Sequence, residues 1–338
     1  MAIDHFGTLD GRDVWEITLT GPDGMELRVL TWGAVIRDLI VPARQGPQPV
    51  VLGLNSIADY KAHSPYFGAI VGRYANRIGQ ARFTLDGHEY TLDANEGRNQ
   101  LHGGTDGFGT RHWTIVEQQR SSVTLSLVSD DGDMGYPGRL VATCTYSLLP
   151  DATVRIVLEA TCDQPTPVNL TTHGYFNLDG SLDICSHHLT IAADYVTPTA
   201  SDLIPTGEIR RVAATPYDFR NQRPIGAAEL LRERTVYDIN YVLRGPWGTL
   251  RHAATLQSLT SGLAMELWTT EPGVQFYDGH MLEIPVPGLN GAHYGPHAGL
   301  CLEPQRFPDG PNNAHFPSCI LGPGSVSRQI SELRFASV

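Results

Sequence analysis

The sequence predicts an all-β protein: a large antiparallel β-sandwich with few short helices. Three observations support this prediction. Apolar and polar residues alternate along many short segments, turn signals separate those segments, and 35 glycines and 23 prolines punctuate the 338 residues. Many short strands joined by glycine- and proline-containing turns are typical of sandwiches and barrels.

The predicted strands have an apolar residue at every second position. This period of two places one set of side chains on one face of a half-buried strand. The alternating apolar residues are Trp15, Ile17 and Leu19; Met25, Leu27 and Val29; Val123, Leu125 and Leu127; and Val154, Ile156 and Leu158.

The predicted turns lie between such segments. The pair Asp86-Gly87 separates two short apolar segments, and an Asp-Gly pair supplies the positive φ angles that a two-residue hairpin needs. Residues 130–133 and the pair Pro150-Asp151 are similar turn signals. Helical patterns are sparse. The best candidate is one short helix at residues 225–234, where alanines and leucines follow Pro224.

We expect residues 1–338 to form a single domain. Long all-β domains commonly exceed the usual length of one domain, and the sequence has no internal repeat, low-complexity tract or clear linker. With 41% hydrophobic and 18% charged residues, the composition is that of a globular protein and not of a disordered chain.

The charge of the chain bears on its partners and location. A formal net charge of -12 disfavours nucleic acid and anionic lipid as partners and suits a small neutral substrate. The N-terminal residues do not form a signal peptide, no segment is long enough to span a membrane, and the five cysteines are scattered without a C-x-x-C pair. We therefore expect a cytoplasmic protein with reduced thiols.

Several common chemistries have no support in the sequence. The 13 histidines form no H-E-x-x-H or H-x-H motif, and Pro296 breaks the helix that His293 and His297 would need in order to bind one metal. Residues 103–109 are glycine-rich but lack the Lys-Ser/Thr of a phosphate loop, and no G-x-S-x-G motif occurs. We expect neither a metal nor a cofactor.

Polar residues inside aromatic and small-residue loops remain as site candidates. Each alone has a structural interpretation, as a surface cation, a hydrogen-bonded loop histidine or a solvated strand residue. The candidates are Asn76, Arg77, His102, His173, Asp238, Gln275 and Glu303.

Together these segments resemble the aldose 1-epimerase family, also called galactose mutarotases, in order and in local sequence. The similarity runs from about Gly72 to Phe316. It rests on G-R-Y-A-N-R-I-G at 72–79, L-H-G-G at 101–104, N-L-T-T-H-G-Y-F-N-L at 169–178 and L-E-P-Q-R-F-P-D at 302–309. Three departures from the family pattern (Thr172, Ile239 and Pro304) lie beside the candidate residues and affect the expected sugar preference.

The resemblance implies a galactose mutarotase-like fold and an enzyme that interconverts the α and β anomers of a neutral aldose such as glucose or galactose. Opening a hemiacetal requires a base for the anomeric hydroxyl and an acid for the ring oxygen, and a glutamate and a histidine can form that pair near neutral pH. Resemblance and chemistry together assign Glu303 as the base, ionised in the free enzyme, and His173 as the protonated acid.

The other candidates are expected to bind the sugar hydroxyls. Arg77 and His102 act as donors, Asp238 as an acceptor, and Asn76 and Gln275 as both. Tyr175, Phe276 and Phe307 are candidates for packing on the apolar face of the sugar. The chain is expected to be a monomer or a homodimer.

Two other functions stay open on the sequence. A sugar-binding protein without catalysis would keep Arg77 and Asp238 but would need no acid-base pair. An epimerase for a hexose phosphate would need a cluster of basic residues, for which Arg73, Arg77 and Arg82 are candidates.

Overall fold

The computed structural model describes residues 2–226 and 235–338. Three large antiparallel sheets dominate it, so the predicted all-β fold is confirmed. The strands are numbered in chain order. The five-stranded sheet contains β1 (Ala2–Leu9), β2 (Arg12–Thr20), β3 (Glu26–Leu30), β4 (Ile36–Ala43) and β5 (Gly46–Pro49).

The nine-stranded sheet contains, in spatial order, β11 (Thr114–Gln119), β12 (Ser122–Ser129), β13 (Leu140–Leu149), β14 (Thr153–Cys162), β28 (Ser327–Ser337), β24 (Leu263–Thr269), β23 (Arg251–Ser258), β18 (His188–Ile191) and β21 (Arg223–Pro224). The six-stranded sheet contains β17 (Tyr175–Phe176), β26 (Leu300–Gln305), β25 (Gly273–Tyr277), β22 (Asp238–Leu243), β19 (Ala193–Thr197) and β20 (Arg210–Arg211).

Four strand pairs complete the described β-structure. They are β6 (Ile70–Val71) with β16 (Thr171–Thr172), β7 (Arg77–Ile78) with β10 (Gln100–Leu101), β8 (Arg82–Leu85) with β9 (His88–Thr91), and β15 (Thr166–Pro167) with β27 (Ile320–Leu321). Two of these pairs, β6 with β16 and β7 with β10, hold the loops that carry the histidines and Arg77 of the candidate site.

Helices are short, as predicted. The described residues contain one α-helix, α1 (Ile57–His63), whose N-terminus is capped by Ser56: its Oγ accepts from the backbone N–H of Asp59 at 3.1 Å. Helix α1 was not predicted, because its seven residues are too few to show a helical period. Most of the predicted helix at 225–234 lies outside the described residues. Single 3-10 turns occur at Gly79–Ala81, Phe108–Thr110, Asp133–Gly135, Leu289–Gly291 and Gly310–Asn312.

The alternating apolar residues form the core, with one exception. Eleven of the twelve are buried, whereas Trp15 is 39% exposed. The inward phase of β2 changes there, since Val14 and Ile17 are both buried. Trp15 instead packs edge-on against His5, its partner on β1, with ring centroids 5.4 Å apart.

One continuous apolar core joins the three large sheets. Its members include Leu27 and Leu39, Leu125 and Ile156, and Phe276 and Leu302, from the five-, nine- and six-stranded sheets respectively. No helix of the described residues is long and apolar enough to cross a bilayer.

Candidate active site

A cavity of about 280 Å³ lies beside the six-stranded sheet and collects most of the predicted site residues. Six of the seven line its wall: Asn76, Arg77, His102, His173, Asp238 and Glu303. They come from loops and strands that are distant in sequence, so the tertiary structure brings them together. Its size is suited to one small polar molecule.

The polar face of the six-stranded sheet carries the carboxylates. Glu303 on β26 pairs with Gln275 on β25. Asp238 on β22 pairs with Tyr277, two residues after Gln275 on β25. Directly paired and next-but-one residues share a face, so these three side chains lie on one side of the sheet. The residues between them, such as Leu302 and Phe276, point to the core. Both faces of β26 are buried, which explains how the Glu303 carboxylate comes to be buried.

His173 and Glu303 form the closest acid-base pair in the cavity. His173 Nε2 lies 3.7 Å from Glu303 Oε1, and the two side chains are only 6% and 3% exposed. The rings of Tyr66 and Tyr175 both stack on the imidazole, with centroids 5.8 and 5.2 Å away. The imidazole Nδ1 lies 3.5 Å from the thiol sulfur of Cys301. The His173 ring is therefore held on several sides.

Burial shifts the pKa values of the pair in opposite directions. Burial lowers the pKa of His173 to about 4, since it disfavours the charged imidazole. Burial raises the pKa of Glu303 well above its usual range, the charge of Asp238 raises it further, and Arg77 opposes the shift. Glu303 Oε2 has no hydrogen-bond partner among the described residues. The protonation states expected from sequence, ionised Glu303 and protonated His173, are thus not the ones that burial favours.

His102 and Asn76 support each other across the cavity wall. The backbone N–H of Asn76 donates to His102 Nδ1 at 3.1 Å, and the backbone N–H of His102 donates to the Asn76 carbonyl at 2.9 Å. This assigns the proton of the neutral imidazole to Nε2. Burial, then the charges of His173 and Arg77, hold the pKa of His102 well below its usual range. His102 therefore offers an N–H donor.

Arg77 lies between carboxylates. Its Nε and Nη2 donate to the two carboxylate oxygens of Glu96 at 2.6 and 2.7 Å, and its Nη1 lies 4.0 Å from Asp238 Oδ2. Sequence reasoning missed Glu96, because nothing in its local sequence distinguishes it from other loop carboxylates. The bidentate pair leaves Nη1 to act in the cavity.

Gln275 is the one predicted site residue that lies behind the wall. Its Nε2 donates to Asp238 Oδ1 at 2.6 Å, and its Oε1 accepts from Gln305 Nε2 at 3.4 Å. Both ends of the amide are thus engaged within the protein, which suits support of Asp238 better than contact with a sugar. Of the three aromatic candidates, Tyr175 lines the cavity, whereas Phe276 is buried in the core and Phe307 packs on Phe316.

The candidate arginines do not form a basic cluster. Arg73 is buried, and its guanidinium donates to Ser129 and to the carbonyls of Pro137 and Gly138. Arg82 is exposed and donates to Gln80. Among the described residues, Arg77 is the one arginine or lysine that lines the cavity. Four carboxylates line the same wall: Glu96, Asp238, Glu283 and Glu303.

Three potential metal ligands also meet in the cavity. His102, His173 and Glu303 each offer one donor atom, and these atoms lie within 4.8 Å of one another. The sequence motifs could not indicate this group, because its members are far apart in the chain. The hydrogen bond to His102 Nδ1 fits a metal poorly, since the remaining Nε2 then carries a proton and has no free lone pair. The group suits hydrogen bonding to a sugar better.

Comparison with known proteins identifies the family of this chain. The family model for aldose 1-epimerase matches residues 16–334. A galactose mutarotase from Bos taurus is 44% identical over 93% of this chain and 92% of its own length. An aldose 1-epimerase from Escherichia coli (strain K12) is 38% identical over 96% of both chains.

The solved structures show the same fold. The GalM/aldose epimerase homologue from C. elegans superposes with a TM-score of 0.90 at 32% identity, covering 96% of this chain and 99% of its own. A galactose 1-epimerase from Lactobacillus acidophilus NCFM gives 0.84 at 26% identity, covering 99% and 98%. The chain therefore belongs to the aldose 1-epimerase family and is an isomerase that interconverts the α and β anomers of an aldose.

Proposed function

We propose that the substrate is a neutral, unphosphorylated aldose and that Glu303 and His173 move the two protons of the reaction. The observation that carries this proposal is the 3.7 Å separation of these two buried side chains at the wall of a cavity of single-sugar size. A base and an acid must face one sugar at the anomeric hydroxyl and at the ring oxygen, and two groups that titrate in opposite directions meet that need.

The proton transfers balance over one cycle. Glu303 takes the proton of the anomeric hydroxyl, the bond between C1 and the ring oxygen breaks, and His173 gives its proton to that oxygen. The aldehyde then turns about its C1–C2 bond. On closure the hydroxyl that held the ring returns its proton to His173, and Glu303 protonates the carbonyl oxygen, so both groups regain their initial states.

The pair needs one proton in total. Burial favours that proton on Glu303, whereas ring opening as described needs it on His173. The two states of the pair differ only in the position of this proton, so no proton has to be gained or lost. Sugar hydroxyls that donate to Glu303 stabilise its ionised form and shift the proton towards His173. The substrate thus helps to create the protonation state that opens its ring.

The remaining wall residues suit a neutral polyol. Arg77 and His102 offer N–H donors, Asp238 accepts, and the Asn76 side chain lies beside them. Gln275 acts on Asp238 and not on the sugar. Among the described wall residues a phosphate would meet four acidic side chains and one arginine that is already paired, which favours the neutral aldose over a hexose phosphate.

We further propose a cytoplasmic location. The five cysteines are thiols, and Cys144, Cys301 and Cys319 are buried among apolar or aromatic neighbours, as is usual for proteins of a reducing compartment.

The decisive experiment removes either proton-transfer group. Glu303→Gln and His173→Asn should each lower the mutarotation rate by about 10²- to 10⁴-fold, the usual range for a positioned acid or base. The double variant should be little slower than either single one, because loss of one group already closes the concerted route. Polarimetry of freshly dissolved α-aldoses measures the rate, and calorimetry measures sugar affinity, which should fall much less.

The control is His293→Asn, a change at an exposed histidine that does not line the cavity. It should keep both rate and affinity. Single site variants with full activity would overturn the assignment of the pair. A wild-type protein that binds aldoses without accelerating mutarotation would instead indicate a sugar-binding protein.

A further inference from the structure

Tyr66 contacts both histidines of the site, although no part of the acid-base mechanism uses it. Its ring stacks on His173 at 29° and meets His102 edge-on, with centroids 4.6 Å apart. The two imidazoles are themselves nearly perpendicular, at 79° and 5.1 Å. Tyr66 therefore touches the two rings whose N–H groups must point into the cavity.

The backbone around Tyr66 is tied to the strand segment that carries His173. The Gly68 N–H donates to the His173 carbonyl at 2.9 Å, and the His173 N–H donates to the Ala69 carbonyl at 2.8 Å. The Tyr175 hydroxyl donates to the Pro65 carbonyl at 3.1 Å. These three hydrogen bonds hold the backbone on either side of Tyr66 next to the segment that carries His173. They therefore support the contact between the two rings.

We infer that Tyr66 is a positioning residue, which holds the His173 imidazole so that Nε2 faces Glu303 and holds His102 so that its Nε2–H faces the sugar. This inference rests on the proposed roles of His173 and His102. An imidazole stacked on both Tyr66 and Tyr175 cannot turn about its Cβ–Cγ bond without losing both contacts. Without Tyr66, one of these contacts is lost and the ring gains freedom.

The surroundings of His173 show what Tyr66 adds. The titratable groups that face the imidazole are Tyr66, His102, Tyr175, Cys301 and Glu303. Of these, Tyr66 and Tyr175 stack on the imidazole and also line the cavity wall. The Tyr66 ring therefore covers part of the imidazole where it meets the cavity and limits its contact with water, as well as orienting it.

The test uses Tyr66→Leu and Tyr66→Phe. Leucine removes the aromatic ring, so kcat should fall by about 10- to 100-fold, since a misplacement of about 1 Å can cost 10²-fold. KM should change less than kcat. Phenylalanine keeps the ring and should retain activity near the wild-type level. Tyr90→Leu, which removes a stacked tyrosine from the β8–β9 hairpin, is the control for a general loss of an aromatic residue.

A second readout does not depend on activity. The imidazole signal of His173, assigned in NMR spectra by its loss in His173→Asn, should titrate at higher pH in Tyr66→Leu because water reaches the ring, and should be unchanged in Tyr66→Phe. A Tyr66→Leu variant with wild-type kcat and an unmoved His173 titration would overturn the inference. So would an inactive Tyr66→Phe, since the hydroxyl would then be the active group. If His173→Asn keeps full activity while the titration still moves, the proposed function fails and the positioning of the ring stands.

Discussion

At the scale of single residues, the environment of Glu303 and His173 matters more than their identity. Both side chains are almost fully buried at the cavity wall, and burial lowers the pKa of His173 to about 4 and raises that of Glu303. A glutamate and a histidine at ordinary pKa values would hold their proton on the histidine. Here the same two residues favour the opposite arrangement, and the difference comes from the burial of both side chains and from the neighbouring Asp238.

The pH dependence of kcat/KM should be bell-shaped, because the active free enzyme has one proton on the pair. As pH falls through the low pKa that burial imposes on His173, a second proton binds and no base remains. As pH rises through the elevated pKa of Glu303, the last proton leaves and no acid remains. Polarimetry extrapolated to zero buffer concentration measures the profile, and a flat profile from acid to alkaline pH would contradict the pair.

The alkaline limb of this pH profile offers a sharper check of the link between Asp238 and Glu303. The charge of Asp238 raises the pKa of Glu303, so Asp238→Asn should lower that pKa and move the alkaline limb to lower pH. The acid limb should move little. A displacement of the alkaline limb to higher pH would show that Asp238 does not act on Glu303 in this way.

Asp238 should also matter for binding. Asp238→Ala removes an acceptor for sugar hydroxyls and leaves Gln275 Nε2 and Arg77 Nη1 without their partner. Hydrogen bonds to charged groups are worth about 1.5–3 kcal/mol, so sugar affinity should fall by roughly 10- to 100-fold in calorimetry. Asp202→Ala, at an ion pair with Arg98 outside the cavity, is the control. Unchanged affinity in Asp238→Ala would remove Asp238 from the binding site.

At the scale of elements, strands and turns were the predictable part. The Asp86-Gly87 pair forms the two-residue turn between β8 and β9, with φ of 51° and 79°, which confirms the predicted hairpin. Alternation identified eleven inward residues but misplaced Trp15, because the phase change in β2 depends on its contacts with β1 and the core. Strand alternation places Gln275 and Asp238 on the same polar face. It could not show that the Gln275 side chain lies behind Asp238 and outside the cavity wall.

The segment that holds His173 depends on a glycine. Gly68 has φ of +64°, and a Cβ there would lie 2.0 Å from the Ile36 carbonyl oxygen. Gly68→Ala should therefore combine the cost of left-handed backbone, about 1–2 kcal/mol, with a backbone clash that adds about 1–3 kcal/mol. The free energy of unfolding in urea should fall by the sum, and mutarotation should slow because the clash displaces the Gly68 N–H, which donates to the His173 carbonyl.

Gly24→Ala separates the two contributions. Gly24 has a similar φ of +78°, but a Cβ there would meet nothing within 4 Å. It should lose only the left-handed cost and keep its activity. Equal losses of stability in the two variants would show that the space around Gly68 is not limiting.

At the scale of the whole molecule, charge and topology work together. The net charge of -12 and the four acidic side chains of the wall disfavour anions, and the one arginine that lines the cavity among the described residues is already paired with Glu96. The shared core of the three large sheets supports a single domain over residues 1–338, which stays a prediction. The same core holds the six-stranded sheet against which the cavity is built.

A hexose 6-phosphate should be a poorer substrate than its parent hexose. Two like unit charges about 8 Å apart repel by about 2 kcal/mol at an effective dielectric constant of 20, so kcat/KM should be at least about 10-fold lower. Added salt should narrow the gap, because it screens the repulsion. Faster mutarotation of the phosphate, measured by polarimetry at equal concentration, would favour a hexose-phosphate epimerase.

The sequence by itself determined the all-β class, the strand alternation, the hairpin at Asp86-Gly87 and the resemblance of four ordered motifs to one family. These are local properties, because a strand period, a turn pair or a motif is contained in a few consecutive residues. Only the tertiary structure decided which residues share the cavity wall, that Glu96 pairs with Arg77, and that Tyr66 contacts both histidines. It also decided the direction of each pKa shift, since burial and the distances between charges arise only when distant segments meet.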